Sequence, residues 1–295
     1  MALHALPAGS TDCHVHAFGD PAAFPFDAAR SYTPGRADAG QLRAFLDAHG
    51  LDRVVLVQPS VYGTDNRCTL DAVGQLGERA RAVLVLDPGI DDANLADLHA
   101  RGARGVRLNL HTSGMEDTRQ AAATVDTFAG RLRGSGWHLQ VFAAHGVLAA
   151  LGPNLARAGL PVVLDHFGLV GRGSTVLGKA ADTLLRLVAT DGLHVKLSAP
   201  HRVVPDPEAA PELAALVRRL ARSAPEGLLW GSDWPHTAST RRSAAAETVE
   251  PFESIDDRRA LERLSAWIGD EGATHRMLVA NPTTLYGFAA IPKAQ

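Results

Sequence analysis

The chain has little cysteine: Cys13 and Cys68 are the only two in 295 residues. A disulfide framework is therefore excluded as its source of stability, and a reducing compartment is expected. Long apolar runs are missing too. No stretch approaches the roughly 18 residues that a membrane helix needs. Neither sign of charge is in large excess, the formal net charge being -3. Neither nucleic acid nor a membrane surface is expected as a partner. Residues 1–10 show no basic stretch followed by an apolar run, so the expected location is cytoplasmic. Gly-x-Gly-x-x-Gly is absent after every apolar run, and so is a phosphate-binding P-loop. Dinucleotide and P-loop chemistry are therefore not expected.

What is present has the proportions of a globular protein, with 46% hydrophobic and 21% charged residues. Short apolar runs alternate with helical patterns. The runs fall at 10–16, 53–58, 82–87, 105–110, 137–143, 161–166, 193–198 and 228–233. Run 53–58 (RVVLVQ) is continuous and β-branched, as in a strand buried on both faces. Helical spacing follows each run, for example Leu42, Phe45 and Leu46. Eight β–α units with no dividing linker predict an α/β fold, a (β/α)8 TIM barrel forming one domain over residues 1–295. An open doubly wound sheet is the competitor; it usually has fewer strands.

In such a barrel the C-terminal strand ends converge on one mouth. The first run carries Thr11-Asp12-Cys13-His14-Val15-His16. Alternation points His14 and His16 the same way, with Cys13 on the opposite face as a buried small side chain. Run two offers Gln58 and Ser60, then Tyr62 and Asn66. Run four offers Arg107 and Asn109, then His111. Run six ends on Asp165 and His166. Run seven offers Lys196 and Ser198, then His201 and Arg202. Run eight offers Asp233, then His236. Three histidines and an aspartate at strand ends form a constellation that chance spacing seldom gives.

These segments resemble the amidohydrolase superfamily. The resemblance rests on the first-strand His-x-His, Leu164-Asp165-His166-Phe167-Gly168 and Gly231-Ser232-Asp233-Trp234-Pro235-His236. Within it, the chain resembles the branch of 2-pyrone-4,6-dicarboxylate lactonases. The segments 57–66, 104–107, 196–202 and 281–288 support that branch. Many members hold two metal ions with a lysine or carboxylate on strand four and a histidine on strand five. Here those strands carry Arg107 with Asn109, and Gln140 with Phe142. A guanidinium repels a cation and Phe142 has no donor atom, so a binuclear centre is not expected.

The resemblance implies a hydrolase of a small lactone bearing a carboxylate. Asp233 would be the general base, and His14, His16 and His166 would polarise the carbonyl. Ser60, Tyr62, Arg107 and Arg202 are candidates for gripping the carboxylate, since a guanidinium fork matches it bidentately. Salt bridging for Arg107 and packing for Tyr62 are the alternatives. Asp12 is expected to orient a neighbour. The loop from His111 to Glu116 contains no arginine, and Arg241 with Arg242 could substitute. No cofactor is the first expectation. The alternative is one divalent ion such as zinc, held by His14, His16, His166 and Asp233 in a metal-dependent hydrolase or decarboxylase. A non-catalytic ligand-binding barrel ranks last. The sequence leaves the oligomeric state open.

Overall fold

The computed structural model describes residues 5–112, 114–171, 177–238 and 248–290. Eight parallel strands pair in chain order: β1 (Thr11–Val15), β2 (Arg53–Val57), β3 (Ala80–Leu84), β4 (Ala103–Asn109), β5 (His138–Phe142), β6 (Val162–Leu164), β7 (Leu193–Ser198) and β8 (Leu228–Gly231). The ring closes where the first strand meets the segment after the last. His16 N–H donates to the Trp234 carbonyl at 2.8 Å, and Asp233 N–H to the His14 carbonyl at 2.9 Å. The expected (β/α)8 barrel is the architecture observed. No helix among the described residues is long and apolar enough to cross a membrane.

Helices α1 (Ala39–His49), α2 (Arg67–Leu76), α3 (Asp92–Ala100), α4 (Thr118–Leu132), α5 (His145–Ala156), α6 (Gly178–Val188), α7 (Pro211–Ser223) and α8 (Asp257–Ile268) cover the outside. Helix α1 shows why they form there. Asp38 and Gln41 make a capping box, Leu42 and Leu46 bury one stripe, and Gly50 ends the helix in the left-handed region. Alternation then sorts each strand. Val54 and Leu56 join Leu42 and Leu46 in the strand–helix layer. Val55 and Val57 face inward with Cys13, Val83, Val163 and Leu229. Tyr286 and Phe288 join that inner cluster.

Cys13 corrects one expectation. The β1–β2 register shifts between Asp12 and Val15. This bulge lets Cys13 and His14 both face into the barrel. Strict alternation fails there because one residue is extra on β1. Cys13 is nonetheless fully buried, as expected.

The barrel interior also holds polar side chains, with Arg107, His138, Gln140 and Lys196 all buried. His138 lies against Gly105, where an added Cβ would come within 2.3 Å of its ring. Burial, and next the Lys196 charge, push His138 down to about 3. An unfolded histidine titrates near pH 6.5. Between about pH 6.5 and 3 the unfolded chain therefore binds the extra proton, and stability falls as the solution is acidified. The slope from this one group is about 1.4 kcal/mol per pH unit. Urea midpoints measured across that range should fall less steeply in His138→Gln than in the natural chain. Equal slopes would show that His138 is not buried neutral.

Candidate active site

Two of the site's side chains leave their strands through left-handed backbone. Strand β6 stops at Leu164, and His166 follows at φ 47. Strand β8 stops at Gly231, and Asp233 follows at φ 71. Non-glycine residues hold such angles only where their surroundings over-determine them, and these outliers cluster at functional sites. Asp12 supplies part of that constraint. Its Oδ1 accepts the His14 and Ser232 N–H groups, both at 3.0 Å, tying β1 to the end of β8. This is the orienting role expected of Asp12. Burial pushes its carboxyl up to about 7 despite those bonds. Gly231 allows the close approach, since a Cβ there would lie 2.6 Å from that of His14.

The turns bring the four expected residues together. Asp233 Oδ1 lies 3.5 Å from His16 Nε2, 3.7 Å from His14 Nε2 and 3.8 Å from His166 Nε2. Arg202 Nε donates to Asp233 Oδ2 at 2.7 Å, and its Nη2 to the Thr237 carbonyl at 2.7 Å. Burial alone would raise the Asp233 carboxyl. Arg202 leads the interactions that instead hold it well below the usual carboxylate range. His166 is driven down to about 3, chiefly by burial, and His14 well below the ordinary range by burial and then Lys196. A fixed carboxylate thus meets neutral imidazoles.

A second tier holds the first. His16 Nδ1 bonds to the Val57 carbonyl at 2.8 Å, and His166 Nδ1 to Ser198 Oγ at 2.8 Å. Asp165 Oδ2 accepts from Gln140 Nε2 at 3.1 Å and pairs with Arg107 Nη2 at 3.4 Å. Arg107 Nη1 also donates to the Gln58 carbonyl at 3.1 Å. Arg107 and Gln140, which stand where a second metal's ligands were looked for, are thus spent on Asp165. Burial drags Lys196 down to about 8, against the pull of Asp165.

A cavity of about 210 Å³ opens onto Asp233 at the C-terminal mouth. Ser60, Arg107 and Arg202 line it with His16 and His166. Tyr62 does not. It is buried, packs on Phe18 and Phe26, and its hydroxyl accepts the Gly19 N–H at 3.2 Å. The packing alternative describes Tyr62 better than the carboxylate grip. Tyr32 and Thr237 line the cavity and were missed. Both sit on loops outside any strand-end pattern, so no sequence signal marked them. His201 and His236 turn to Glu253 and Asp257 instead. Arg241 and Arg242 lie outside the described residues. A slightly larger cavity of about 230 Å³ lies beside α8 and holds none of the four converging residues.

The donor set fits a cation. Asp233 Oδ1 and His14 Nε2 are buried without a hydrogen-bond partner among the described residues. Ligands around a tetrahedral zinc ion stand about 3.3 Å apart, given bonds of about 2.0–2.1 Å. The 3.5–3.8 Å separations from Asp233 Oδ1 are close to that edge. His14, His16 and Asp233 form one candidate ligand group and His14, Asp165 and His166 another. The expectation of no cofactor therefore draws no support from this geometry.

Known proteins agree with the architecture. The chain is 31% identical over 286 residues to a 4-sulfomuconolactone hydrolase of Rhizobium radiobacter, covering 96% of this chain and 91% of that one. It is 34% identical over 240 residues to a 2-pyrone-4,6-dicarboxylate hydrolase of Comamonas testosteroni, covering 78% of each. A crystal structure of the Agrobacterium tumefaciens protein ATU3138 superposes with a TM-score of 0.82 at 26% identity, covering 99% of this chain and 100% of that one. The amidohydrolase family profile matches residues 11–288, from β1 to Phe288 of the inner cluster, and the chain belongs to that family.

Proposed function

We propose that the chain hydrolyses a small lactone carrying an acidic group. The observation that carries this reading is Asp233 Oδ1, ringed by three imidazoles at the mouth of a cavity of about 210 Å³. Relatives named for lactone hydrolysis support the substrate class. Water held at Asp233 Oδ1 attacks the ring carbonyl carbon, and the carboxylate takes its proton as the water becomes acidic in the transition state. Arg202 holds that carboxylate charged and in place. The imidazoles face the oxygen that becomes an oxyanion. Collapse breaks the ring C–O bond, and the proton on Asp233 passes to the leaving oxygen. Ser60 and Arg107 line the cavity wall that would receive the acidic substituent.

His14, His16, His166 and Asp233 are the residues that would hold a divalent ion. When bound, such an ion supplies Lewis-acid polarisation of the carbonyl and acidifies water. The test is elemental analysis of chelator-free protein, followed by a panel of carboxylated and sulfonated lactones with and without EDTA. Opening of an acidic lactone, measured by loss of the ring ester, is the expected result. A panel left wholly unopened by both metal-free and zinc-loaded protein overturns the reading. Loss of activity with EDTA, restored by one equivalent of zinc, would assign the four residues as ligands.

A further inference from the structure

The cavity beside α8 takes no part in the chemistry above. It lies in the strand–helix layer, since Leu197 and Trp230 line it from β7 and β8 and both belong to that layer. Ala260, Arg263, Leu264 and Trp267 line it from α8, three and four residues apart on one face. Phe167 adds a third aromatic side chain. A dry apolar cavity of about 150 Å³ takes a benzene molecule. At about 230 Å³, this one has room for an aromatic ring with a small substituent.

The charged groups that line it select the substituent. Glu208 Oε2 accepts from Arg259 Nη2 at 2.8 Å, and its Oε1 from Arg263 Nη1 at 3.3 Å. One carboxylate thus takes one donor from each guanidinium, and a guanidinium has five. The partners are not equally fixed. The Arg263 side chain is 19% exposed and its guanidinium lies 5.7 Å from the centre of the Trp267 ring, whereas Glu208 is 54% exposed. Glu208 can therefore swing into water and leave the Arg263 fork to another carboxylate. Two further acids are already spent, Asp257 on His236 at 2.9 Å and Asp256 on the Arg259 N–H at 3.0 Å. A guanidinium beside aromatic walls is what an aromatic carboxylate complements.

We propose that this cavity is a second binding site, for a small aromatic carboxylate, and that its occupancy is felt at the active site. The ring takes the apolar space, and the carboxylate replaces Glu208 on the Arg263 fork. The route to the active site is short. Phe167 follows His166, His201 precedes Arg202 and Ser232 precedes Asp233, and all three line the cavity. Phe167 is itself held in the left-handed region at φ 54, next to His166 at φ 47. Asp257 lines the cavity too. It holds His236, whose N–H donates to the Asp233 carbonyl at 2.8 Å. A ligand packed against these turns biases where His166, Arg202 and Asp233 stand, and by reciprocity the substrate changes the affinity of that ligand. The coupling to turnover rests on the lactonase reading; the site itself does not.

The experiment titrates 4-fluorobenzoate with the full-length chain and follows the fluorine resonance. Saturable binding with a Kd of about 1 mM or tighter is expected for so small a ligand. Ala260→Phe fills the cavity without touching the mouth and should weaken binding at least about tenfold. Arg263→Gln removes the fork and should weaken it about tenfold. Glu208→Gln removes the competing charge and should tighten it. No saturation with the natural chain overturns the proposal, and that result needs no variant to fold. Binding to Ala260→Phe and Arg263→Gln as tight as to the natural chain places the probe elsewhere and also overturns it. Weaker binding to Glu208→Gln overturns the seat of the carboxylate. On the opened lactone, saturating probe should shift KM about fivefold in the natural chain and leave Ala260→Phe, whose basal rate is unchanged, unaffected. An equal effect on both is competition at the mouth and removes the coupling. If no lactone is opened, the binding series still decides the site, and only the lactonase reading and the coupling built on it fall.

Discussion

Asp233→Asn will lower kcat on the opened lactone by about 10²–10⁴-fold while the barrel stays folded. That range is what a positioned general base contributes. The amide keeps the shape and can still accept from Arg202, whose Nε lies 2.7 Å from Oδ2. It cannot take a proton from water. The three imidazoles would remain, so substrate binding should change less than turnover. Steady-state kinetics with circular dichroism on the same preparation checks this. Retention of more than a tenth of the natural kcat would remove Asp233 from the role of base. A metal ligand lost at the same position would show instead as a fall in bound zinc, which elemental analysis separates from the loss of a base.

The second large effect is expected one layer down. Asp165→Asn should cost about 3–5 kcal/mol of stability, the range for removing one partner of a buried ion pair. Asp165 is the carboxylate that faces Lys196 at 3.6 Å and Arg107 at 3.4 Å. Lys196 is fully buried, and Arg107 meets solvent only at the cavity that it lines, so neither is fully hydrated when the charge between them is removed. Arg107 would keep the Gln58 carbonyl, and Lys196 would keep Gln140. Those neutral partners do not balance two charges in a dry interior. Burial alone would favour protonated Asp165. His14, Lys196 and Arg107 together instead hold it well below the usual carboxylate range, so the pairing is present at neutral pH. Calorimetric unfolding of the variant beside the natural chain gives the answer. A loss below about 1 kcal/mol would mean that the cations are solvated.

Much of the barrel was readable because its strands are buried on both faces. Continuous β-branched runs such as 53–57 have few other uses, and the helices between them show their period clearly. The end of β3 was read too late, since Val85 and Leu86 continue the apolar run after pairing with β4 has stopped at Leu84. Ladder hydrogen bonds, which periodicity does not report, set that boundary. The bulge in β1 was hidden for the same reason.

The sequence by itself determined the barrel and the ring of strand-end residues, and its resemblance to the amidohydrolase superfamily singled out the four that converge. It could do so because strand alternation and the C-terminal mouth of a barrel are local rules repeated eight times. Tertiary structure alone decided what each charged group is spent on. Arg202 holds Asp233, Arg107 and Gln140 hold Asp165, Tyr62 packs, and Lys196 lies against His14. These partnerships join residues between 25 and 182 positions apart. The direction of a hydrogen bond across the barrel depends on where several strands place their side chains at once, and no spacing along the chain encodes it.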